Sequence, residues 1–280
     1  ELNLKLIATT FREAADSYLG HVANLLLRAR DQVAANPDLS PAEFQTWLTR
    51  NHFPHDHPGL YGLGVALRVE SAELEAFEEL WSRRHPRGFS VTPRLAEEER
   101  AAWQGWPEAP RLPVVMTVVN DGGILSRGDR TLLGRDLLAL RVDEEDPGGE
   151  YASLRRIAQS PDLRSSGLVE ISGAGFGGAA RQGIRLFAPL FRQPPEGQPF
   201  NGPRDWAGVV FASIDLRLWL RSMDQDDSAL TGVRLVTGSE DSGYANKEAI
   251  AADSGELAPE LARPARPYLE REETLRVYSR

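Results

Sequence analysis

The chain has 280 residues, of which 41% are hydrophobic and 26% charged, with a formal net charge of −9 and no cysteine. This is the balance of an ordinary folded chain, long enough for one large core or two smaller ones. An acidic chain without a basic stripe excludes the usual nucleic-acid binders and a polybasic dock on anionic lipid. The lack of cysteine excludes disulfide frameworks, thiolate nucleophiles and thiolate metal sites.

Leu4, Ile7, Phe11, Ala15, Tyr18, Val22, Leu25, Ala29 and Val33 recur at spacings of three and four, which predicts one long helix over residues 2–35. Its apolar stripe is narrow, so it suits either a dimer seam or packing against its own monomer. Ser40, Pro41 and Glu43 form a helix-start signature, with Ser40 as N-cap, Pro41 first in the helix and Glu43 as capping-box partner. That helix is predicted to end near Asn51. A buried strand is predicted over 62–69, then a short amphipathic helix over 73–84 with Leu74, Phe77 and Trp81 on one face.

Residues 89–93 alternate as a strand does, and the run Pro113 to Val119 is the strongest strand signal in the chain. A helix is predicted over 151–159 and strands over 167–172, 184–191 and 206–214, with a proline-rich loop over 193–205. A helix starts at Arg217, and strands over 232–236 and 274–278 belong to a smaller C-terminal unit. Helix, mixed strands with short helices, then a smaller mixed unit is an α+β layer pattern.

No G-x-S-x-G, H-E-x-x-H or Walker glycine loop is present, which predicts a non-enzyme. Gly173–Gly178 spells G-x-G-x-x-G after a strand, but strand resumes by Ile184 where a dinucleotide fold needs a helix. A hairpin loop is therefore preferred, and a nucleotide-cofactor enzyme is the alternative. His52, His55 and His57 cluster on a proline-flanked loop at no defined metal spacing, so no metal is expected. No cofactor is expected either. No run of about 18 apolar residues is present, and no signal peptide is visible.

Several short motifs follow one another in order. A glycine-rich strand ending in arginine, Gly62 to Arg68, precedes Phe77-Glu78 on a helix. Then come Pro113-Val114, the turn Gly134-Arg135-Asp136, the basic pair Arg155-Arg156, Ser166-Gly167 with Ser172, and Pro189-Leu190-Phe191. This succession over about residues 44–220 resembles the CHASE family of sensor domains. Departures are the acidic, glycine-containing insertion over 143–149 and the glycine-rich stretch at 173–178.

The resemblance implies a stalk helix, residues 1–37, a membrane-distal PAS-like ligand-binding subdomain, 38–215, and a membrane-proximal PAS-like subdomain, 216–280. It implies an extracytoplasmic part of a membrane-anchored receptor, pairing as a homodimer through the stalk, with its anchors outside the sequence. Outputs in the family include histidine kinases and nucleotide or diguanylate cyclases. The expected partner is a small molecule, adenine-derived for some plant members, and not nucleic acid. A ligand-free ectodomain that only sets dimerisation is a further alternative.

The resemblance singles out Asp136 as a ligand anchor, since a carboxylate makes strong charge-assisted bonds to N–H groups. The same position suits a turn or helix-cap aspartate. Expected pocket walls are Met116, Val118, Ile171, Leu186, Ala188, Val209 and Phe211, with Trp206 at the edge, although ordinary core is an equal reading for each.

Overall fold

The computed structural model describes residues 2–53, 55–92, 110–121, 124–127, 132–138, 150–158, 160, 162–166, 169–171, 181–192, 205–223, 234–237 and 249–253. Helix α1, Leu2–Ala35, is the long helix predicted from periodicity. From Ala15 onward its stripe, Leu19, Val22, Leu25, Leu26, Ala29 and Val33, is buried in the main core of its own chain. Burial of each leucine or valine side chain contributes about 1.5–3 kcal/mol. Helix α2, Pro41–Arg50, has the anticipated capping box, in which Ser40 Oγ accepts from Glu43 N and Glu43 Oε2 accepts from Ser40 N at 2.9 Å. Helix α3, Leu74–Arg84, follows a single 3-10 turn at Ser71–Glu73.

The strands β1 (Leu60–Leu67), β2 (Val114–Asp121), β3 (Ile124–Arg127), β4 (Arg164–Ser165), β5 (Val169–Ile171), β6 (Arg181–Phe191) and β7 (Trp206–Asp215) form one antiparallel sheet. Its order is β3-β2-β1-β7-β6-β4, with β5 also on β6. Beyond Phe187 no described strand pairs with the outer side of β6, and Pro189 lies there, where its missing N–H is tolerated. Helices α4 (Glu150–Ile157) and α5 (Leu216–Met223) complete the described helices. Asp215 caps α5 through a 3.0 Å bond from Leu218 N to its Oδ1. Strands β8 (Arg234–Thr237) and β9 (Ala249–Asp253) pair as a separate antiparallel ribbon.

Several sequence expectations change. Residues 89–92 make only the isolated bridge Thr92–Arg135 and not a strand, although Phe89 and Val91 are buried against the α3 side of the core. Strands β3, β4 and β9 carry too few apolar alternations to stand out in the sequence. Strands β5 and β6 form an antiparallel pair, with Ile171 opposite Arg181, so the chain is strand from Arg181, where a dinucleotide fold needs a helix leading to a parallel strand. That arrangement removes the nucleotide-fingerprint alternative. The residues of that stretch, 173–178, and the strand expected at 274–278 lie outside the described residues.

Candidate ligand site

Cross-strand neighbours point to one side of a sheet, so the pairing register sorts side chains into two faces. Leu63 faces Val118 and Ala212, and Val65 faces Met116 and Val210. Leu186 and Ala188 pair with Ala212 and Val210. All of these belong to the core shared with α1, α2 and α3. The opposite face carries Val209, Phe211, Phe187 and Ala66, which pack with Trp206, Leu112, Leu137, Leu138 and the α4 residues Leu154 and Ile157.

The expected pocket walls are therefore not one surface. Met116, Val118, Leu186 and Ala188 pack on the α1 side, Trp206, Val209 and Phe211 on the other, and Ile171 in a small cluster with Tyr61 and Val119. A site on either face takes only part of the expected set. Alternation along one strand is legible in sequence, whereas the relative phase of two strands needs their register.

Asp136 lies beside the start of β2. Gly134, at φ +80°, makes the turn before it, and a side chain there would overlap Ser90 O. Leu137 N then donates to Leu112 O at 3.0 Å, Gly134 N to Val114 O at 2.8 Å, and Asp136 N to Thr92 O at 2.8 Å. The Asp136 side chain is fully buried. Its Oδ1 accepts from Leu112 N at 2.9 Å and from Leu138 N at 3.1 Å. Its Oδ2 faces Arg111 Nη1 at 3.8 Å, a pair in which both side chains are shut off from solvent.

Sequence reasoning missed a polar patch farther along the same face. One row across the sheet reads Thr117, Gly64, Phe211, Phe187, and the next reads Val119, Gly62, Ser213, Arg185. Gly64 leaves the space in which the Phe211 ring lies, because a Cβ there would overlap it. Gly62 presents no side chain at all. Arg185 is 3% exposed, and its Nε donates to Ser213 Oγ at 3.3 Å with the guanidinium 5.9 Å from the Phe211 ring centre. Arg185 N also donates to Ser166 Oγ at 2.8 Å. Thr117 is buried, and its hydroxyl has no hydrogen-bond partner among the described residues. A buried hydroxyl left unsatisfied costs about 1–3 kcal/mol.

The signal was present in the strands as polar residues at the parity opposite to the apolar run, Thr117 in β2 and Arg185 in β6. Elsewhere, burial lowers the His57 pKa; the neighbouring His21 and Arg28 charges add to this and Asp56 opposes it. Burial also lowers His85, against a bond to Val115 O that raises it. No group of three or more His, Asp or Glu suited to a metal occurs among the described residues.

A family model described as the CHASE domain matches residues 37–247. The chain belongs to the CHASE domain family. The matched span takes in the whole large sheet and the β8 strand, so both the Asp136 turn and the Thr117–Arg185 patch lie inside the CHASE domain. CHASE is a sensory domain and not a catalytic one, and the family places it outside the cytoplasm. A search of the curated proteins found no match. Among solved structures, the domain is similar to the periplasmic sensory domain of the Campylobacter jejuni chemoreceptor Tlp1, at 9% identity and TM-score 0.43. That alignment covers 81% of this chain and 65% of the chemoreceptor chain. No helix among the described residues of the CHASE chain is long and apolar enough to cross a membrane.

Proposed function

We propose that this CHASE domain senses a small molecule bound on the sheet face turned away from α1, over the bare Gly62 and between Thr117, Ser213 and Arg185. The observation that carries the reading is a polar patch buried in an otherwise apolar sheet face, with a side-chain-free centre and one hydroxyl unsatisfied among the described residues. Small-molecule sites combine mostly apolar walls with a few placed polar groups. Tyr61, Val119 and Ile171 supply one apolar border and Phe187 and Phe211 the other.

Asp136 enters this proposal as a positioning residue. Its two accepted backbone bonds tie Leu112 and Leu138 together and so set the start of β2, the strand that carries Thr117. The remaining parts of the proposal follow the family. Residues 38–215 form a distal PAS-like unit and 216–280 a proximal one, α1 pairs with its copy in a homodimer, and the receptor ends in a kinase or cyclase output. Ligand binding shifts a two-state arrangement of the stalk, which requires different affinities for the two states.

The test is thermal unfolding of the purified chain against a metabolite library. A ligand at a hundredfold excess over its Kd adds about 2.7 kcal/mol, several degrees of Tm. Thr117→Val removes the hydroxyl without changing shape, and it weakens the bound compound's affinity. Met116→Leu, on the α1 face, leaves that affinity unchanged. The reverse ranking would place the site on the wrong face.

A further inference from the structure

We propose that the junction where α1 meets the 52–59 loop and the start of α5 is a proton-operated latch, closed while His57 is neutral and opened when His57 takes up a proton, so that acidity acts on α1 as a second input. The proposal goes beyond the ligand reading and is independent of it, since no residue of the junction belongs to the sheet-face site.

Three elements converge there. Gly59, at φ +86°, lies so close to α5 that a Cβ on it would overlap the Trp219 backbone, and Asp215 N donates to Gly59 O at 2.8 Å. The Trp219 ring stacks on Tyr18 of α1, with centroids 5.4 Å apart. His57 stands just before Pro58 and Gly59 and is 5% exposed. On α1, His21 and Arg28 follow Tyr18 along one side of the helix. Arg28 Nη1 donates to Asn51 Oδ1 at 3.2 Å, which ties α1 to the end of α2.

Each of the three elements brings a buried polar atom with no hydrogen-bond partner among the described residues: Tyr18 Oη, His57 Nδ1 and Trp219 Nε1. Opening the junction lets water reach all three. Packing closes the junction and these unmet groups oppose closure, which favours local opening.

His57 supplies the switch. In the closed junction a proton on its ring is a buried charge, and the like charges of His21 and Arg28 on α1 act against it. Asp56, exposed on the same loop, opposes that effect. Burial is the largest influence, and it holds His57 below the ordinary histidine pKa. Of the other titratable groups at the junction, burial pushes the Tyr18 phenol up and keeps it neutral, and the Asp215 carboxylate accepts from Leu218 N. In the open junction the His57 ring is hydrated and titrates normally. Protons therefore bind the open state preferentially, and acid shifts the junction toward it. The latch is fully closed above the ordinary histidine value, about 6.5, and loosens below it until the folded-state value is passed. Between pH 7.5 and pH 5.5 one such group raises the open fraction by about tenfold at most.

The test is amide hydrogen exchange on the whole chain without any ligand, at pH 7.5 and pH 5.5, expressed as protection factors so that the intrinsic effect of pH is removed. Amides of residues 18–29 are expected to be less protected than those of β1 and β7 and to change little in dilute urea, as local opening requires. At pH 5.5 they should lose protection several-fold, within the limit of about tenfold. His57→Gln should abolish that loss. If this variant does not fold, two substitutions at exposed positions report in its place: His21→Gln should shrink the loss and Asp56→Asn should enlarge it. Amides of α1 that exchange in step with β1 and β7, or protection that is the same at both pH values, overturn the latch. A loss that persists in His57→Gln, or that neither exposed substitution moves, overturns the role of His57. Because no ligand is present, failure here leaves the sheet-face site standing, and a ligand that ignores Thr117→Val leaves the latch standing.

Discussion

At the scale of single residues, the Arg111–Asp136 pair shows how a motif residue is held. Both side chains are buried, and the carboxylate already accepts two backbone N–H bonds. Removing one member of a buried pair strands the other's charge, which typically costs 3–5 kcal/mol. Asp136→Ala is therefore expected to lower the unfolding free energy by about 3–5 kcal/mol in urea titrations. The Arg111→Met, Asp136→Ala double variant should lose clearly less than the sum of its singles, because no charge is left buried alone. Asp136→Asn keeps an oxygen for the two N–H groups and should fall between. If Asp136→Asn instead kept full stability and lost ligand affinity tenfold, direct contact with the ligand would be its role. The turn that carries this residue was legible in the sequence as glycine followed by aspartate. Its partner Arg111 was not, since the two are 25 positions apart and only the fold zips 112–114 onto 134–137.

At the scale of elements, local chemistry was the readable part. The α2 start announced itself through Ser40, Pro41 and Glu43, all within four residues. The long α1 repeat was readable as a helix, yet its partner was open between a second copy and its own chain. In the structure α1 lies against β6 and β7, so most of its stripe serves the monomer core. The seam between α1 and the connection from α2 to β1 also carries a titratable group. His57 is buried there, and its pKa is lowered chiefly by desolvation. His85, at the end of α3, is lowered for the same leading reason.

Both histidines are neutral in the folded chain at a pH where the unfolded chain already binds protons. Stability is therefore complete above the ordinary histidine pKa, about 6.5, and falls as the pH drops below it. The loss levels off once the folded-state values are passed. Unfolding midpoints measured between pH 8 and pH 5 should decline over the lower half of that range. His57→Gln with His85→Gln should flatten the decline, and an unchanged profile would remove these two residues as its cause. Glu43 acts in a separate, more acidic window. Its pKa is lowered by the Ser40 hydroxyl and then the Ser40 backbone bond, so its capping contribution is lost only below the ordinary carboxylate range.

At the scale of the whole molecule, one sheet separates the proposed ligand from the long helix. Strand β6 alternates between them. Arg185 and Phe187 stand on the ligand face, while Leu186 and Ala188 are buried in the core that contains the α1 stripe. Close-packed interiors transmit displacement and do not absorb it. A ligand seated on that face that displaces β6 shifts with it the seat of Leu19, Val22, Leu26 and Ala29. Amide hydrogen exchange along residues 19–33 should therefore change when the ligand saturates the domain, although none of those residues touches it. Leu186→Val trims the contact between β6 and the α1 core at a stability cost of about 1 kcal/mol, the size of a small aliphatic truncation. In that variant the ligand should still bind within a few-fold of its original affinity, while the response in α1 becomes smaller. Exchange that changes in β6 and β7 but not in α1 would break the proposed link between site and stalk. The ligand would then have to act through the other end of the domain, where α5 and β6 meet β9.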